Sequence, residues 1–280
     1  MFADINLSIP ALELDLKFIN SNHKILSRIH YIRSMKNIYD NHADIYEAMY
    51  SSFMNYPQEY AYYHKILKQY KVKSLLEIGC GAGNLAELLL KHPYQYIGLD
   101  YSESMLQRAR KKLPQQVFIK GKMQQFKIPQ PVDACIFTGR TSSYLKSNTD
   151  VKNTLNCIYK NLNPGGIIIF DIVNASHFTK MIAGRQSFIH EAGFAGKNYC
   201  RVSKWINNPQ QLWAFDWLST YYQKLKNGKK KKLFEENSTL RAFSKDDMQL
   251  FLELSGFTIL KISPKASYAF DTLVFIAQKK

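Results

Sequence analysis

Cysteine, proline and glycine are scarce in this sequence of 280 residues, and each scarcity excludes a class of protein. With only 9 prolines and 13 glycines, the composition is that of an ordered globular protein and not of a disordered chain. The four cysteines are widely spaced, without CxxC pairs or companion histidines: Cys80, Cys135, Cys157 and Cys200. They indicate neither a disulfide framework nor a metal site, and reduced thiols favour a cytoplasmic location. No apolar run has the length of a membrane span, and the N-terminus does not have the pattern of a signal peptide.

Acidic residues are also in short supply, and this leaves a net charge of +16, from 38 Lys and Arg against 22 Asp and Glu. Such a charge would attract phosphates or an anionic surface. The densest basic run is only Lys229–Lys232, beside an Asn-Gly pair that is typical of a hairpin tip. Lysines spread over solvated faces are the simpler explanation, so nucleic acid is a possible partner that the sequence does not favour.

The spacing of apolar residues changes along the chain and predicts three regions. Apolar positions three and four apart in residues 1–70 predict an N-terminal helical cap. In residues 71–174 and 240–280, short apolar runs alternate with amphipathic stretches; the first five runs are SLLEIG, YQYIGLD, QVFIKG, DACIFTG and GGIIIFDIV. This predicts an α/β fold with a doubly wound, mostly parallel, Rossmann-like sheet of seven strands. Residues 175–239 alternate and are rich in aromatics, which predicts an antiparallel β insertion after strand 5.

One strand-to-helix turn carries the strongest functional signal. The segment from Glu77 to Gly83 reads EIGCGAG, and its alternate glycines allow a tight turn and a close approach of a ligand to the backbone. The GxGxG spacing differs from that of dinucleotide-binding turns, and a preceding carboxylate suits a cationic ligand better than a pyrophosphate. Asp100 closes the second strand 23 residues after Glu77, where it could bind ribose hydroxyls or cap the next helix.

These features resemble the class I S-adenosylmethionine-dependent methyltransferases over roughly residues 39–171 and 240–279. The shared order is the acidic residue and glycine turn of 77–83, the acidic Asp100, an Asn-Pro-Gly-Gly segment from Asn163 and a Gly-Phe turn at Gly256. The resemblance implies an enzyme that binds S-adenosylmethionine and transfers its methyl group by in-line displacement. The cofactor-binding residues that it implies are Tyr39, Tyr46, Glu77, Gly79, Gly81, Gly83, Asp100, Tyr101, Met105, Lys122, Met123, Phe137 and Thr138.

The chain departs from the family after the third strand. Where the family often has Gly-Asp-Met, with the aspartate at the adenine amino group, this chain has Gly121-Lys122-Met123. A lysine has no acceptor atom, so the backbone of Met123 or the side chain of Gln124 or Gln125 would have to take that contact.

The stretch Asp133–Leu145 resembles, more loosely, the Phe-x-Ser-x-x-Tyr-Leu segment of small-molecule methyltransferases such as the glycine and amino-sugar N-methyltransferases. The resemblance implies a small-molecule acceptor near Arg140 and Tyr144, under a cover formed by the insertion. Trp213 and Tyr221 of the insertion are candidate acceptor contacts, with core packing or a dimer contact as the other interpretation.

The acceptor atom decides whether a base is needed. An amine need only arrive unprotonated, whereas a hydroxyl acceptor needs a base within hydrogen-bond reach, for which Tyr144 and His177 are candidates. A methyltransferase of RNA or protein, or a protein that binds S-adenosylmethionine without transferring the methyl group, are the alternative functions. The expected state is a monomer or a homodimer.

Overall fold

The computed structural model describes residues 42–176, 187–208, 213–267 and 271–280. Two helices open this part of the chain, α1 (Ala43–Phe53) and α2 (Tyr56–Gln69). The side chain of Asn55 caps α2 by accepting a hydrogen bond from the backbone N–H of Gln58, and Pro57 occupies the first turn. Both helices lie where the apolar spacing predicts them, while the helical prediction for residues 1–41 lies outside the described residues.

Eleven strands and four further helices follow in the described ranges. The strands are β1 (Ser74–Ile78), β2 (Gln95–Asp100), β3 (Val117–Lys120), β4 (Val132–Phe137), β5 (Leu162–Val173), β6 (Ser187–Phe194), β7 (Lys197–Asn207), β8 (Ala214–Lys224), β9 (Lys230–Arg241), β10 (Phe257–Ala266) and β11 (Asp271–Lys279). The helices are α3 (Asn84–Leu89), α4 (Glu103–Lys112), α5 (Asn148–Asn161) and α6 (Lys245–Leu254), with a 3-10 turn at Thr141–Tyr144.

Seven of these strands form one sheet in the order β10-β11-β5-β4-β1-β2-β3. The pairs β1–β2, β2–β3, β1–β4 and β4–β5 are parallel, whereas β11 is antiparallel to both of its neighbours. Every residue of β5 from Gly166 to Val173 is buried, as expected for a strand with both faces covered. The predicted doubly wound, mostly parallel fold is therefore confirmed.

The other four strands form an antiparallel sheet in the order β6-β7-β8-β9. It lies in the chain between β5 and α6, which confirms the antiparallel insertion predicted after strand 5. The β8–β9 hairpin turns at the Asn-Gly pair, where Gly228 has a φ of +78°. Trp205 and Phe215 of this sheet pack in one buried cluster with Val173 at the end of β5.

The chain enters and leaves the four-stranded sheet beside the carboxyl end of β5. The backbone N–H of Phe243 donates to the carbonyl of Val173, and that of Ala175 donates to the carbonyl of Phe243, both at 2.9 Å. The two ends of the insertion are thus joined by main-chain hydrogen bonds.

Two further observations concern the cysteines and the apolar character of the helices. All four cysteines are free thiols. Within the ranges that the structure describes, no helix combines the length and the apolar character needed to cross a membrane.

Candidate active site

A cavity of about 320 Å³ opens at the carboxyl ends of β1 and β2 and beside the residues that follow β4. Ligands bind at this edge in open α/β sheets, because the loops that follow the parallel strands meet there. The walls come from α1, α2, the turn after β1, the start of α4 and the 3-10 turn. The volume falls within the range of about 300–1,000 Å³ that is usual for small-ligand and cofactor sites.

The turn after β1 brings main chain to the cavity. Gly79, Gly81 and Gly83 have φ values of +73°, +52° and +77°, a left-handed conformation that glycine adopts readily. A Cβ on Gly79 would lie 2.8 Å from Oγ1 of Thr141, closer than packing allows. A Cβ on Gly81 would meet no described atom within 4 Å, so at this residue the backbone faces open space that a ligand can enter.

Asp100 is held at the end of β2 by the backbone around it. Its Oδ2 accepts a hydrogen bond from the N–H of Gly81 and its Oδ1 accepts one from the N–H of Ser102, both at 2.9 Å. Burial raises the pKa of the Asp100 carboxyl. The cap of α4 is Ser102, which accepts from the N–H of Met105, so Asp100 does not occupy the capping position. Each carboxylate oxygen keeps a second lone pair for a ligand in the cavity.

Glu77 places a second carboxylate in the wall of the cavity. It is 4% exposed, and its Oε2 accepts a hydrogen bond from the hydroxyl of Tyr96 at 2.6 Å. Burial raises the pKa of Glu77 to about 7, and the nearby charge of Asp100 adds to the shift. Two neighbouring carboxyl groups, one buried and one half-buried, favour a cationic ligand, which would relieve the repulsion between them.

Tyrosines supply much of the remaining wall. Tyr46 and Tyr50 lie one turn apart on α1, with ring centroids 4.4 Å apart, and Tyr144 ends the 3-10 turn. Burial raises the pKa of Tyr56 to about 12, so its hydroxyl remains protonated and can donate. A tyrosine wall excludes water while offering hydrogen bonds to a bound molecule.

Glu59 of α2 adds a further carboxylate to the lining of the cavity. Its Oε1 pairs with Nζ of Lys265 at 2.5 Å. Its Oε2 is buried and has no hydrogen-bond partner within the described part of the chain. One oxygen of this carboxylate is therefore able to accept a hydrogen bond from a bound molecule.

The structure brings most of the predicted site residues together. Those that line the cavity are Tyr46, Glu77, Gly79, Gly81, Asp100, Tyr101, Met105, Met123, Thr138 and Tyr144. Tyr39 and His177 lie outside the described residues. Of the other cofactor candidates, Gly83 precedes α3 as its N-cap, Lys122 is exposed, and the ring of Phe137 stacks on Phe170 at 4.6 Å inside the core. These three residues are not in the lining, and their contact with a cofactor stays a prediction.

A second cavity, of about 30 Å³, adjoins the first. It is lined by Tyr50, Gly139, Arg140, Tyr144, Arg201, Trp217, Ser219, Glu236, Ser238 and Leu240. Arg140, predicted as an acceptor contact, lies here and not in the larger cavity.

The two acceptor candidates of the insertion line neither cavity. Trp213 packs against a buried cluster that includes Trp205 and Phe215. Tyr221 is fully buried on β8 and donates a hydrogen bond to Glu236 at 3.0 Å. Both side chains pack within the second sheet, and their contact with an acceptor stays a prediction.

Several residues that line the two cavities are not among those predicted from the sequence. Tyr50 could have been found, because it lies four residues after Tyr46 and so on the same face of a helix. Glu59, Arg201 and Trp217 carry no local signal, since their position depends on how distant segments pack.

Comparisons with known proteins agree with this geometry. The sequence profile of a family described as a methyltransferase domain matches residues 75–166. An uncharacterized methyltransferase of Bacillus cereus (strain ATCC 10987 / NRS 248) is 30% identical over 164 residues, which are 55% of this chain and 76% of that protein. The dTDP-3-amino-3,4,6-trideoxy-alpha-D-glucopyranose N,N-dimethyltransferase of Streptomyces venezuelae is 28% identical over 134 residues, 47% of this chain. The match spans only about half of that relative, 56% of its length.

Solved structures share the fold over most of the chain. Streptomyces venezuelae DesVI matches with a TM-score of 0.72 at 20% identity, over 84% of this chain and 98% of that one. CalS10 with bound SAM, an amino pentose methyltransferase from Micromonospora echinaspora, matches with a TM-score of 0.69 at 17% identity. That match covers 84% of this chain and 97% of the other, and at such identities it is the fold that is shared.

Proposed function

This chain belongs to the S-adenosylmethionine-dependent methyltransferases, and from that membership we propose that it methylates an amine nitrogen of a small-molecule acceptor. The observation that carries the proposal is the cavity of about 320 Å³ in which the buried carboxyl of Glu77 and the half-buried carboxyl of Asp100 flank a glycine turn. A second cavity of about 30 Å³, which shares Tyr50, Gly139 and Tyr144 with the larger one, offers space for part of an acceptor.

The lining residues fit S-adenosylmethionine, which supplies a methyl group on a positively charged sulfur when it is bound. Asp100 would accept hydrogen bonds from the ribose hydroxyls, since its orientation is fixed by two backbone N–H groups. Glu77 would face the cationic methionyl end. Gly81 leaves open the space in which the donor approaches the backbone.

The remaining task of the protein is alignment and exclusion of water. Methyl transfer from a sulfonium is an in-line displacement, so orientation of the acceptor nitrogen supplies much of the acceleration. Tyr50 and Tyr144 line both cavities and would orient the acceptor between them. An amine that arrives unprotonated needs no base, and the free oxygen of Glu59 could accept a hydrogen bond from it.

The names of two similar proteins support one class of acceptor. The Streptomyces venezuelae relative is an amino-sugar N,N-dimethyltransferase and CalS10 is an amino pentose methyltransferase. Amino sugars are therefore the first class of acceptor to test here. Further parts of the proposal are a cytoplasmic protein, supported by four free thiols, that works as a monomer or a homodimer under the cover of residues 175–239.

The test is methyl transfer to a panel of amines. The purified chain is incubated with S-adenosylmethionine labelled in the methyl group and with amino sugars, nucleotide-linked amino sugars or amino acids. Each acceptor is paired with an analogue in which a hydroxyl replaces the amine. Labelled product and S-adenosylhomocysteine should form with an amine and not with its hydroxyl analogue. Transfer to the hydroxyl analogues alone, or to RNA alone, would overturn the proposal.

A further inference from the structure

The small cavity beside the candidate active site is built around two buried arginines. Arg140 is 4% exposed and Arg201 is 2% exposed, and both line it. The ring centroid of Trp217 lies 5.0 Å from the guanidinium carbon of Arg140 and 5.6 Å from that of Arg201. Both cations therefore reach the same small space from different elements, the 3-10 turn and β7.

The main chain at Arg140 is in an unfavourable conformation. Its φ is +68°, directly after Gly139 at +64°, and its N–H donates to Oδ1 of Asp171 at 2.9 Å. A left-handed conformation is costly for a residue with a Cβ, and such strain is concentrated at functional sites. This conformation at a residue whose side chain is buried beside the cavity supports a functional role for Arg140.

One donor of Arg201 is unused among the described residues. Its Nη2 lies 3.3 Å from Nδ1 of His190, and its guanidinium also hydrogen-bonds with Tyr221 and lies near the charge of Glu236. Its Nε is buried and has no hydrogen-bond partner in the ranges that the structure describes. A buried donor without an acceptor is unfavourable, so a ligand that brings an acceptor atom to Arg201 would be stabilised.

The charges around this cavity leave an excess of positive charge at its surface. The lining contains two guanidinium groups and one carboxylate, that of Glu236, which accepts from Tyr221 and from Ser238. Burial and then the charges of Arg201 and Arg140 lower the pKa of His190 to about 4, so this neighbour is neutral at pH 7.

Other charged groups lie behind the lining. Asp171 accepts from the backbone N–H of Arg140, and Lys265 pairs with Glu59. None of these three lines the small cavity, although the charge of Asp171 acts on Arg140 and partly balances it.

We propose that this cavity is a subsite for a compact oxyanion of the acceptor, a carboxylate or a phosphate, held by Arg140 and Arg201. Guanidinium groups bind such oxygens through paired, charge-assisted hydrogen bonds. Because Tyr50, Gly139 and Tyr144 line both cavities, an acceptor with its acid group here would direct its amine toward the larger cavity. The inference rests on the proposed function and adds that the substrate is an amine that also carries an acid group.

Tryptophan fluorescence can detect the anion directly. The purified chain, saturated with S-adenosylhomocysteine, is titrated with sodium acetate and separately with inorganic phosphate at constant ionic strength. Because Trp217 lies against both guanidinium groups, a saturable change in emission is expected with at least one anion. A response to acetate alone identifies a carboxylate subsite, and a response to phosphate alone identifies a phosphate subsite. No saturable response to either anion in the unaltered chain overturns the inference.

Matched variants assign that response to the two arginines. In Arg201→Met the concentration that half-saturates the change should rise about 30-fold or more. Arg110→Met removes an exposed guanidinium that pairs with Glu103 on α4 and should leave the response unchanged. An unchanged response in Arg201→Met overturns the inference, and if that variant does not fold, Arg140→Met provides the same comparison.

The failure of this inference and that of the proposed function can be told apart. Affinity for S-adenosylhomocysteine is measured on the same samples by calorimetry. Loss of that affinity in the unaltered chain contradicts the proposed function, whereas intact affinity without an anion response contradicts the subsite alone. Two amine acceptors that differ only in the presence of an acid group are then compared in the methyl-transfer assay. The acceptor without the acid group should have a KM about 30-fold higher or more, and Arg201→Met should abolish this difference.

Discussion

Opposite charges line the two neighbouring cavities of this protein. The larger is lined by the carboxyl groups of Glu77, which is buried, and Asp100, which is half-buried. The smaller is lined by the buried guanidinium groups of Arg140 and Arg201 and by the carboxylate of Glu236. Charged groups of one sign outnumber those of the other in each lining, so each cavity favours a ligand of the opposite sign. Under the two proposals above, the contrast would direct a cationic donor to the larger cavity and the acid group of the acceptor to the smaller one.

The largest effect is expected from Asp100→Ala. Affinity for S-adenosylhomocysteine should fall by at least about 100-fold, because the ribose would lose two hydrogen bonds to a charged group, each contributing about 1.5–3 kcal/mol. Isothermal titration calorimetry measures the change. Asp246→Ala, an exposed carboxylate in the first turn of α6, is the control. Unchanged affinity in Asp100→Ala would remove the ribose role and with it the contrast between the cavities.

The next effect comes from the glycine turn of the larger cavity. Gly79→Ala should lower the free energy of unfolding by about 2–3 kcal/mol, because it adds a left-handed alanine and a Cβ 2.8 Å from Oγ1 of Thr141. In Gly196→Ala the φ is similar, +71°, but a Cβ there meets no described atom within 4 Å, so about 1–2 kcal/mol is expected. Urea denaturation measures both. An equal loss of unfolding free energy in the two variants would show that the contact with Thr141 is not what disfavours a side chain at Gly79.

The charge of Glu77 predicts a pH dependence. With a pKa of about 7, its carboxyl is largely protonated at about pH 6 and ionised at about pH 8, so affinity for cationic S-adenosylmethionine should rise about tenfold over this range. In the ligand-free protein, the raised pKa contributes stability that is complete below about pH 4.5 and is lost as the pH rises through about 7. Glu77→Gln should remove both dependences. A persistent slope in the variant would assign the titration to another group.

The smallest effect concerns the insertion. Tyr221→Phe removes the hydroxyl that donates to Glu236, which should lower the free energy of unfolding by about 1 kcal/mol and leave affinity for S-adenosylhomocysteine unchanged. Denaturation and calorimetry test the two parts. A higher KM for the acceptor with unaltered stability would instead make Tyr221 an acceptor contact.

The fold and the donor side of the site were predictable because their signals are local. A buried strand, alternate glycines and a strand-closing Asp100 lie within about 30 residues, and the parallel sheet brings their ends to one edge. The resemblance to class I methyltransferases, drawn from these residues, is confirmed by the family and fold comparisons.

The smaller cavity could not be predicted, because it is assembled from α1, the 3-10 turn and three strands of the second sheet. Trp217, Ser219 and Tyr221 alternate on the buried face of β8, so period-two spacing identifies the correct face. The spacing does not show which residues of that face lie at the cavity. Trp217 and Ser219 line it, whereas Tyr221 lies further along the strand.

The main-chain hydrogen bonds that join Val173 and Ala175 to Phe243 have an evolutionary consequence. They close the insertion at its base, so its strands could be exchanged or lengthened while the register of β5 and the start of α6 are preserved. The acceptor contacts that the insertion supplies could then change between related proteins while the residues that bind the donor stay the same.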